Sequence, residues 1–241
     1  LFIHQKQLEK NYTSVLDIKI KDSCAEEKVW LGYDIMKKNI SKFNHIKNVG
    51  IVVNQTSNLI NIDEINKKIN FNIDEFDLKV IFTPEHGLSG SYQAGQKIHS
   101  DLSAQKYDVP IVSLYGENYK PDKSDLYKLD AIFFDIQDIG SRYYTYISTM
   151  TYVMESCAEN NIPFYVLDRP NPISGKIEGP ILSKEFSSFV GMHEIPIRHG
   201  MTIGELAYKI NESNWLKNGI KADLYIVKMQ GWNRQMYFSD T

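Results

Sequence analysis

The stretch that decides the fold is Leu78-Lys79-Val80-Ile81-Phe82-Thr83-Pro84-Glu85-His86-Gly87. Val80, Ile81 and Phe82 are bulky, β-favouring and do not alternate with polar residues, the pattern of a strand covered on both faces in a parallel sheet. Pro84 and Gly87 then end the strand. Open α/β sheets bind ligands outside the carboxyl ends of their strands, where loops are free of packing duty and helix N-termini converge. Glu85 and His86 are therefore expected at a binding edge.

The same pattern recurs on both sides of this stretch. Val49 to Val53 predicts a strand ending at Asn54-Gln55-Thr56-Ser57, and Ile62, Ile65 and Ile69 predict a helix after it. Upstream, Val29, Leu31, Ile35, Met36 and Ile40 predict another helix, whereas residues 1–28 have no clear period and read as an unassigned N-terminal extension. Downstream, strands are predicted at Val109 to Leu114, Ala131 to Ile136, Pro163 to Leu167 and Leu224 to Val227. A polar, glycine-containing loop follows Glu85 as far as about Ser100, and long loops in compact domains are usually functional. Helices are predicted from Tyr144 to about Glu159 and after Thr202, where Thr202 and Glu205 form a T-x-x-E capping box with Met201 and Leu206 placed for a hydrophobic staple. Residues 173–199 read as irregular. Strands alternating with helices predict an α/β fold with a mainly parallel, doubly wound sheet.

Composition narrows the function classes. The 241 residues are 42% hydrophobic and 24% charged with a formal net charge of -3, and the lysines are scattered, so the footprint of a nucleic-acid binder is missing. No apolar run approaches a membrane span. Residue 1 is Leu, so the natural start and any targeting signal are expected to lie outside this sequence. Cys24 and Cys157 are too few for a disulfide framework, and Cys157 falls at helical spacing after Ile147, Met150, Val153 and Met154, as a buried small hydrophobe would. No G-x-G-x-x-G or G-x-x-x-x-G-K-[ST] occurs, which disfavours a nucleotide cofactor. His193-Glu194 does not extend to H-E-x-x-H, since Ile197 stands at the fourth position and Pro196 would break the helix. A G-x-S-x-G elbow is also missing.

What remains is a ring of strand-end groups: Asn54 and Gln55, Glu85 and His86, Asp135, Gln137, Asp138 and Arg142, Asp168, Arg169 and Asn171. Glu178, Arg198 and His199 join them from the later irregular segment. With Tyr143, Tyr144 and Tyr146 close by, amide and carboxylate hydrogen-bonders beside aromatic faces suit a sugar with hydroxyls and an acetamido group. An arginine fork suits an anionic substituent on it. Each residue also has a structural alternative. Asp135 could be a buried structural acid, Asp168 could pair with Arg169 or Arg142, and Arg198 could be a surface charge. Glu85 and His86 stand out because a Pro-Glu-His-Gly turn at a central strand end has no evident packing duty.

Several motifs in one order are more specific. Thr83-Pro84-Glu85-His86-Gly87, then Asp135-Ile136-Gln137-Asp138-Ile139-Gly140-Ser141-Arg142-Tyr143-Tyr144-Thr145-Tyr146, Leu167-Asp168-Arg169-Pro170-Asn171-Pro172 and Arg198-His199-Gly200-Met201-Thr202 are similar to the successive signatures of the exo-acting peptidoglycan N-acetylmuramidases, the NamZ-type family. Asn54-Gln55-Thr56 and Glu178-Gly179-Pro180 match as well, and the resemblance runs from about Val29 to Thr241. It implies a Rossmann-like domain over residues 29–230, with residues 231–241 beginning a smaller second domain that is largely missing here. It also implies removal of N-acetylmuramic acid from the non-reducing end of peptidoglycan fragments, outside the cytoplasm or on recovered wall fragments. The expected partner is a carbohydrate, the muropeptides, with no cofactor, no metal and no nucleic acid.

A glycosidase needs an acid for the leaving oxygen and usually a second carboxylate. The resemblance implies Glu85 as general acid/base, its pKa raised by partial burial or a neighbouring carboxylate. Glu178 is the expected second carboxylate, with Asp135 and Asp138 as rivals. His86 would position the acid or donate to the sugar, and Arg142, Arg169 and His199 would hold the lactyl carboxylate of muramic acid. Asn54, Gln55, Asp135, Gln137, Asp138, Tyr144, Tyr146, Asp168 and Asn171 would line the rest of the sugar site. Two other classes remain open: a non-catalytic module that captures wall fragments, and a metal-dependent hydrolase using Asp135, Asp138, His86 and His199, whose spacing forms no compact ligand signature.

Overall fold

In the computed structural model, residues 13–16, 18, 28–63, 68–91, 93 and 108–241 are described. Seven parallel strands form the main sheet: β1 (Thr13–Leu16), β2 (Asn48–Val53), β5 (Asp77–Thr83), β6 (Ile111–Ser113), β7 (Ala131–Asp135), β8 (Phe164–Leu167) and β11 (Leu224–Val227). Their spatial order is β1-β11-β8-β7-β2-β5-β6. Two antiparallel hairpins stand apart, β3 (Ile60–Asp63) with β4 (Lys68–Phe71) and β9 (Glu178–Ile181) with β10 (Pro196–Arg198). Among the described residues the α-helices are α1 (Gly32–Lys38), α2 (Tyr146–Asn160) and α3 (Ile203–Glu212).

The doubly wound arrangement follows from the central strands having apolar residues on both faces. In β7, Ala131 and Phe133 join one apolar cluster while Ile132 and Phe134 join the other, and all are fully buried. A strand alternating polar and apolar residues would cover one face only; these need cover on both. On one face α2 contributes Ile147, Met150, Val153, Met154 and Cys157, and α3 contributes Leu206, Ala207 and Ile210. On the other, α1 contributes Tyr33, Ile35 and Met36 beside a stack of Phe43, Phe76, Phe133 and Tyr165.

Setting β1 aside, the chain starts at β2, moves out through β5 to β6, then returns to the other side of β2 to lay down β7, β8 and β11. The switch point lies between β2 and β7, where the diverging connections leave a crevice at the carboxyl ends. Asn54 follows β2 and Asp135 ends β7. Glu85 follows the neighbouring β5.

The sequence expectation fails in one element. Ile62 and Ile69 do not share a helix face; they are register partners across the β3–β4 hairpin, and Ile65 lies outside the described residues. Ile60-Asn61-Ile62-Asp63 and Lys68-Ile69-Asn70-Phe71 alternate with period two, and a seven-residue separation fits a hairpin partner as well as two helical turns. Residues 173–199, which read as irregular, contain the β9–β10 hairpin. The unassigned N-terminal stretch contributes β1, parallel to β11 at one sheet edge. At the other end, Phe238 N donates to Pro172 O, and Arg234 binds Gly200 O and the Glu205 carboxylate, so residues 231–241 pack on the same body.

The expected capping box is present in α3. Glu205 N donates to Thr202 Oγ1 at 3.2 Å and Thr202 N donates to Glu205 Oε2 at 3.1 Å. α1 enters the sheet more tightly. Gly32 N donates to Asp168 O at 2.8 Å, and a Cβ on Gly32 would stand 2.4 Å from Asp168 N and 2.5 Å from Val227 O. Those neighbours are backbone and cannot turn aside. Gly32→Ala should therefore destabilise the protein by roughly 1–3 kcal/mol, the usual range for overpacking. Equilibrium urea unfolding measures it, and a midpoint unchanged from the parent would contradict this packing.

Candidate active site

Asp135 organises the crevice. It is fully buried at the end of β7. Arg169 Nε donates to Asp135 Oδ1 at 2.7 Å, and Arg169 Nη2 lies 2.6 Å from the same oxygen. Asp135 Oδ2 accepts from Ser57 Oγ at 2.7 Å, Asn58 N at 2.8 Å and Leu59 N at 3.3 Å. One carboxylate thus ties the loop after β2 to the end of β8. Thr56 adds a second tie: its hydroxyl donates to Asn54 Oδ1 at 2.6 Å and accepts from Gln137 N at 3.0 Å. Gln137 Nε2 donates to Asp138 O and Pro170 O, both at 2.8 Å. Asn171 Nδ2 donates to Met201 O at 3.0 Å, and Asn171 Oδ1 accepts from Ile173 N at 3.1 Å. Asn54, Asp135, Gln137, Arg169 and Asn171 are brought together, mostly holding one another and the loops.

Glu85 stands at the end of the neighbouring strand, β5. It is buried, and Thr145 Oγ1 donates to its Oε2 at 2.8 Å. Thr145 is the N-cap of α2, where a threonine hydroxyl ordinarily accepts from the helix backbone; here it makes no cap bond and turns to Glu85 instead. Tyr115, just beyond β6, also hydrogen-bonds Glu85. Burial raises the Tyr115 phenol pKa, and Glu85 adds to the shift. Tyr146 is pushed up to about 12, first by burial, then by Tyr144 and the Glu85 charge. The Tyr144 and Tyr146 rings meet edge to face at 4.8 Å.

The turn that presents Glu85 is conformationally costly. His86 and Gly87 have φ of 72° and 70°, and Gly87 N donates back to Pro84 O at 3.0 Å. A histidine in the left-handed region costs on the order of 1 kcal/mol, so the surrounding packing holds a turn that local preference opposes. Gln55 is exposed on the far side of Asn54, backed against Gly90. It borders an open cavity of about 600 Å³ lined also by Asn54, Ser57, Asn58 and Ser89.

Asp138 and His199 form a buried pair. Met201 N donates to His199 Nδ1 at 3.2 Å, which leaves the ring proton on Nε2 for Asp138 Oδ2, also at 3.2 Å. Gly140 N donates to that same oxygen at 2.8 Å, while Asp138 Oδ1 is buried without a hydrogen-bond partner. Arg142 is buried too. Its Nη1 donates to Pro180 O at 2.9 Å and Ile195 O at 2.7 Å, its Nε has no partner, and among the described residues it makes no ion pair. Glu178 is placed apart from this buried group. It is exposed on β9, with Lys176 at 2.7 Å and Arg198 at 2.6 Å, and Lys176 first and then Arg198 hold its carboxyl below the usual range.

Asp168 is buried behind the crevice. Its Oδ1 accepts from Gly204 N at 2.8 Å and Arg169 N at 3.1 Å, so it receives the N-terminus of α3 instead of pairing with an arginine side chain. Burial raises its pKa to about 6 despite those bonds. His193 packs flat on Trp215 at 5.1 Å with Nε2 2.7 Å from Thr151 Oγ1, and burial lowers its pKa to about 4. Among the described residues no three His, Cys, Asp or Glu side chains gather as a metal site requires. Sequence reasoning missed Thr145 and Tyr115 as partners of Glu85. Tyr115 was signalled by its place at the carboxyl end of the strand next to β5.

Comparison with known proteins gives one consistent answer. The family described as exo-beta-N-acetylmuramidase NamZ, N-terminal, matches residues 49–241. The chain is 44% identical over 226 residues to the peptidoglycan beta-N-acetylmuramidase NamZ of Bacillus subtilis (strain 168), covering 91% of this chain and 52% of that protein. Two crystal structures of DUF1343 family proteins from Bacteroides fragilis NCTC 9343 superpose on it. One has a TM-score of 0.72 at 37% identity, covering 88% of this chain and 53% of the other. The second has a TM-score of 0.67 at 31% identity, covering 87% and 54%. The chain spans about half the length of these relatives.

The two buried titrations oppose each other. Asp168, raised in the fold, contributes stability that is complete below about pH 4 and lost as pH rises through 6, a span on the order of 3 kcal/mol. His193, lowered in the fold, contributes stability that is complete above its ordinary value of 6.5 and lost as pH falls through 4. Asp168→Asn removes only the first, so stability of the variant should climb more steeply between pH 4 and pH 6.5 than that of the parent. Urea unfolding at several pH values in this window reads the slopes, and parallel curves would contradict the assignment.

Proposed function

The chain belongs to the NamZ exo-beta-N-acetylmuramidase family, and on that premise we propose that its protein is an exo-acting glycoside hydrolase releasing N-acetylmuramic acid from the non-reducing end of peptidoglycan fragments. The observation that carries this reading is Glu85: a buried carboxyl beside the switch point, held by the Thr145 and Tyr115 side chains. Such a group is suited to protonate the oxygen that leaves when a glycosidic bond breaks.

For the second carboxylate, the contacts favour Asp138 over Glu178. Asp135 has its acceptors filled by Arg169, Ser57 and two amides. Both Glu178 oxygens are in ion pairs on an exposed hairpin. Asp138 keeps one buried oxygen without a partner and is oriented through the other by His199.

Of the three groups expected to hold the lactyl carboxylate, Arg169 and His199 are engaged with Asp135 and Asp138. Arg142 is a buried cation met by two carbonyl dipoles and the Tyr143 ring, with no carboxylate partner among the described residues, Nε free and Gly191 alongside, where even a Cβ would come only within 4.0 Å of that nitrogen. A muramic carboxylate would supply the missing counter-charge. A peptidoglycan-fragment substrate supports a site of action outside the cytoplasm or on recovered wall fragments.

The test uses the full-length protein with a chromogenic N-acetylmuramic acid glycoside beside the N-acetylglucosamine analogue. Release from the muramic substrate alone is expected, and Glu85→Gln should lower kcat by roughly a hundred- to ten-thousand-fold. Near-normal turnover by the variant would remove Glu85 from the mechanism. Binding of muropeptides with no turnover by the folded parent protein would favour a wall-fragment binding module instead.

A further inference from the structure

We propose that the aromatic cluster of Tyr115, Tyr119 and Phe189 is the subsite for the sugar on the leaving-group side, an N-acetylhexosamine ring stacked on these faces. The inference rests on the exo-muramidase reading and names the part of the site it leaves blank.

The cluster stands apart from the folding core. Tyr119 lies 4.5 Å from Phe189 and 5.8 Å from Tyr115, with Tyr115 5.8 Å from Phe189 and Tyr152 stacked behind Phe189 at 6.3 Å. None of the four belongs to either apolar cluster that covers the sheet. Tyr119 remains 37% exposed, a poor use of a large ring if packing were its only purpose. The rings are nonetheless held firmly. Ser148 Oγ on α2 donates to Phe189 O at 2.7 Å, Ser156 Oγ donates to Pro121 O at 2.7 Å, and Lys120 pairs with Glu159 at 2.7 Å. An anchored, half-open aromatic surface suits a ligand with an apolar face and a polar rim, as a pyranose has.

Its position names the ligand. The cluster is joined to the acid through one residue, since Tyr115 hydrogen-bonds Glu85. Along the sheet the strand ends run from β7 with Asp135 and Asp138, to β2 with Asn54, to β5 with Glu85, to the edge strand β6 with Tyr115. Glu85 therefore stands between the buried polar groups and the aromatic cluster. An acid that protonates a glycosidic oxygen has one sugar on each side of it. The buried side, with Asp138 and the counter-ion-poor Arg142, takes the charged terminal sugar. The aromatic side, at the end of the edge strand β6, takes the neutral ring that departs with its oxygen. The loop joining β9 to β10 spans both sides, since Ile195 O receives Arg142 and Phe189 meets Tyr115.

The experiment compares two substrates of the full-length protein: the β-linked disaccharide of N-acetylmuramic acid and N-acetylglucosamine, and β-N-acetylmuramyl fluoride, whose leaving group is a single atom. Tyr119→Ala should raise KM for the disaccharide about threefold to tenfold, the worth of one aromatic stack, and leave kcat/KM for the fluoride within about twofold. Phe189→Ala should do the same, and Tyr119→Trp should restore the disaccharide KM. An equal loss on both substrates in both alanine variants would show that the rings only support the fold, and no change on either would show that the sugar passes elsewhere; each overturns the subsite while leaving the muramidase reading standing. Failure of the parent protein on both substrates would instead overturn that reading and the subsite with it.

Discussion

The Asp135–Arg169 ion pair is the constraint on which the crevice depends. Both groups are nearly inaccessible, and taking two charges out of water is costly unless every lone pair and proton finds a partner. Asp135 meets that condition through Ser57 and two backbone amides, so the loop after β2, the end of β7 and the end of β8 must come together for the charges to be buried at all. Removing one partner of such a pair typically costs about 3–5 kcal/mol, because the other charge is left stranded. The pair is thus less a source of net stability than a lock on one arrangement of loops.

That lock divides the polar residues of the site into two kinds. Gln137, Asp168 and Asn171 have their hydrogen bonds consumed by neighbouring loops or by a helix terminus, and Asn54 and Arg169 spend Oδ1 and Nε in the same way while Asn54 Nδ2 and Arg169 Nη2 stay buried without a hydrogen bond. Glu85 is buried beside them and held by the Thr145 and Tyr115 side chains, whereas Asp138 has a buried oxygen without a partner and Arg142 lacks a counter-ion among the described residues. Buried polar groups are normally satisfied, so those left open are where a ligand with hydroxyl, amide and carboxylate groups would be received. The strained His86 turn adds to the same picture, since local preference would not hold it.

Most of the main sheet was legible in the sequence because its strands are short apolar runs bounded by turn residues, and each expected strand from β2 to β11 in the parallel sheet is present within a few residues. The box at Thr202 and Glu205 was legible for a similar reason, being a local signal that closes on itself. Ile62 and Ile69 misled because a seven-residue spacing fits both a helix face and a hairpin register, and only pairing decides between them. The β9–β10 hairpin and β1 were not visible, since β9 is exposed along its whole length and β1 is an edge strand; neither carries the apolar run that marks a covered strand.

The sequence by itself determined the alternation of strands and helices, the residues at the strand ends and the family they resemble, because these are written in local runs and short motifs. Which of those residues are buried and which keep an unpartnered polar atom was decided only by the tertiary structure. As letters in a motif Glu178 reads as the second carboxylate and Asp138 as its rival, yet the first is an exposed ion-pair partner and the other a buried acid with a vacant acceptor. Thr145 reads as a helix cap and Tyr115 as the end of a strand, and their common attachment to Glu85 arises only when β5, β6 and α2 converge. The reason is physical: burial and hydrogen-bond satisfaction are properties of what surrounds a side chain, and for these residues the surroundings are drawn from segments 30 and 60 positions away along the chain.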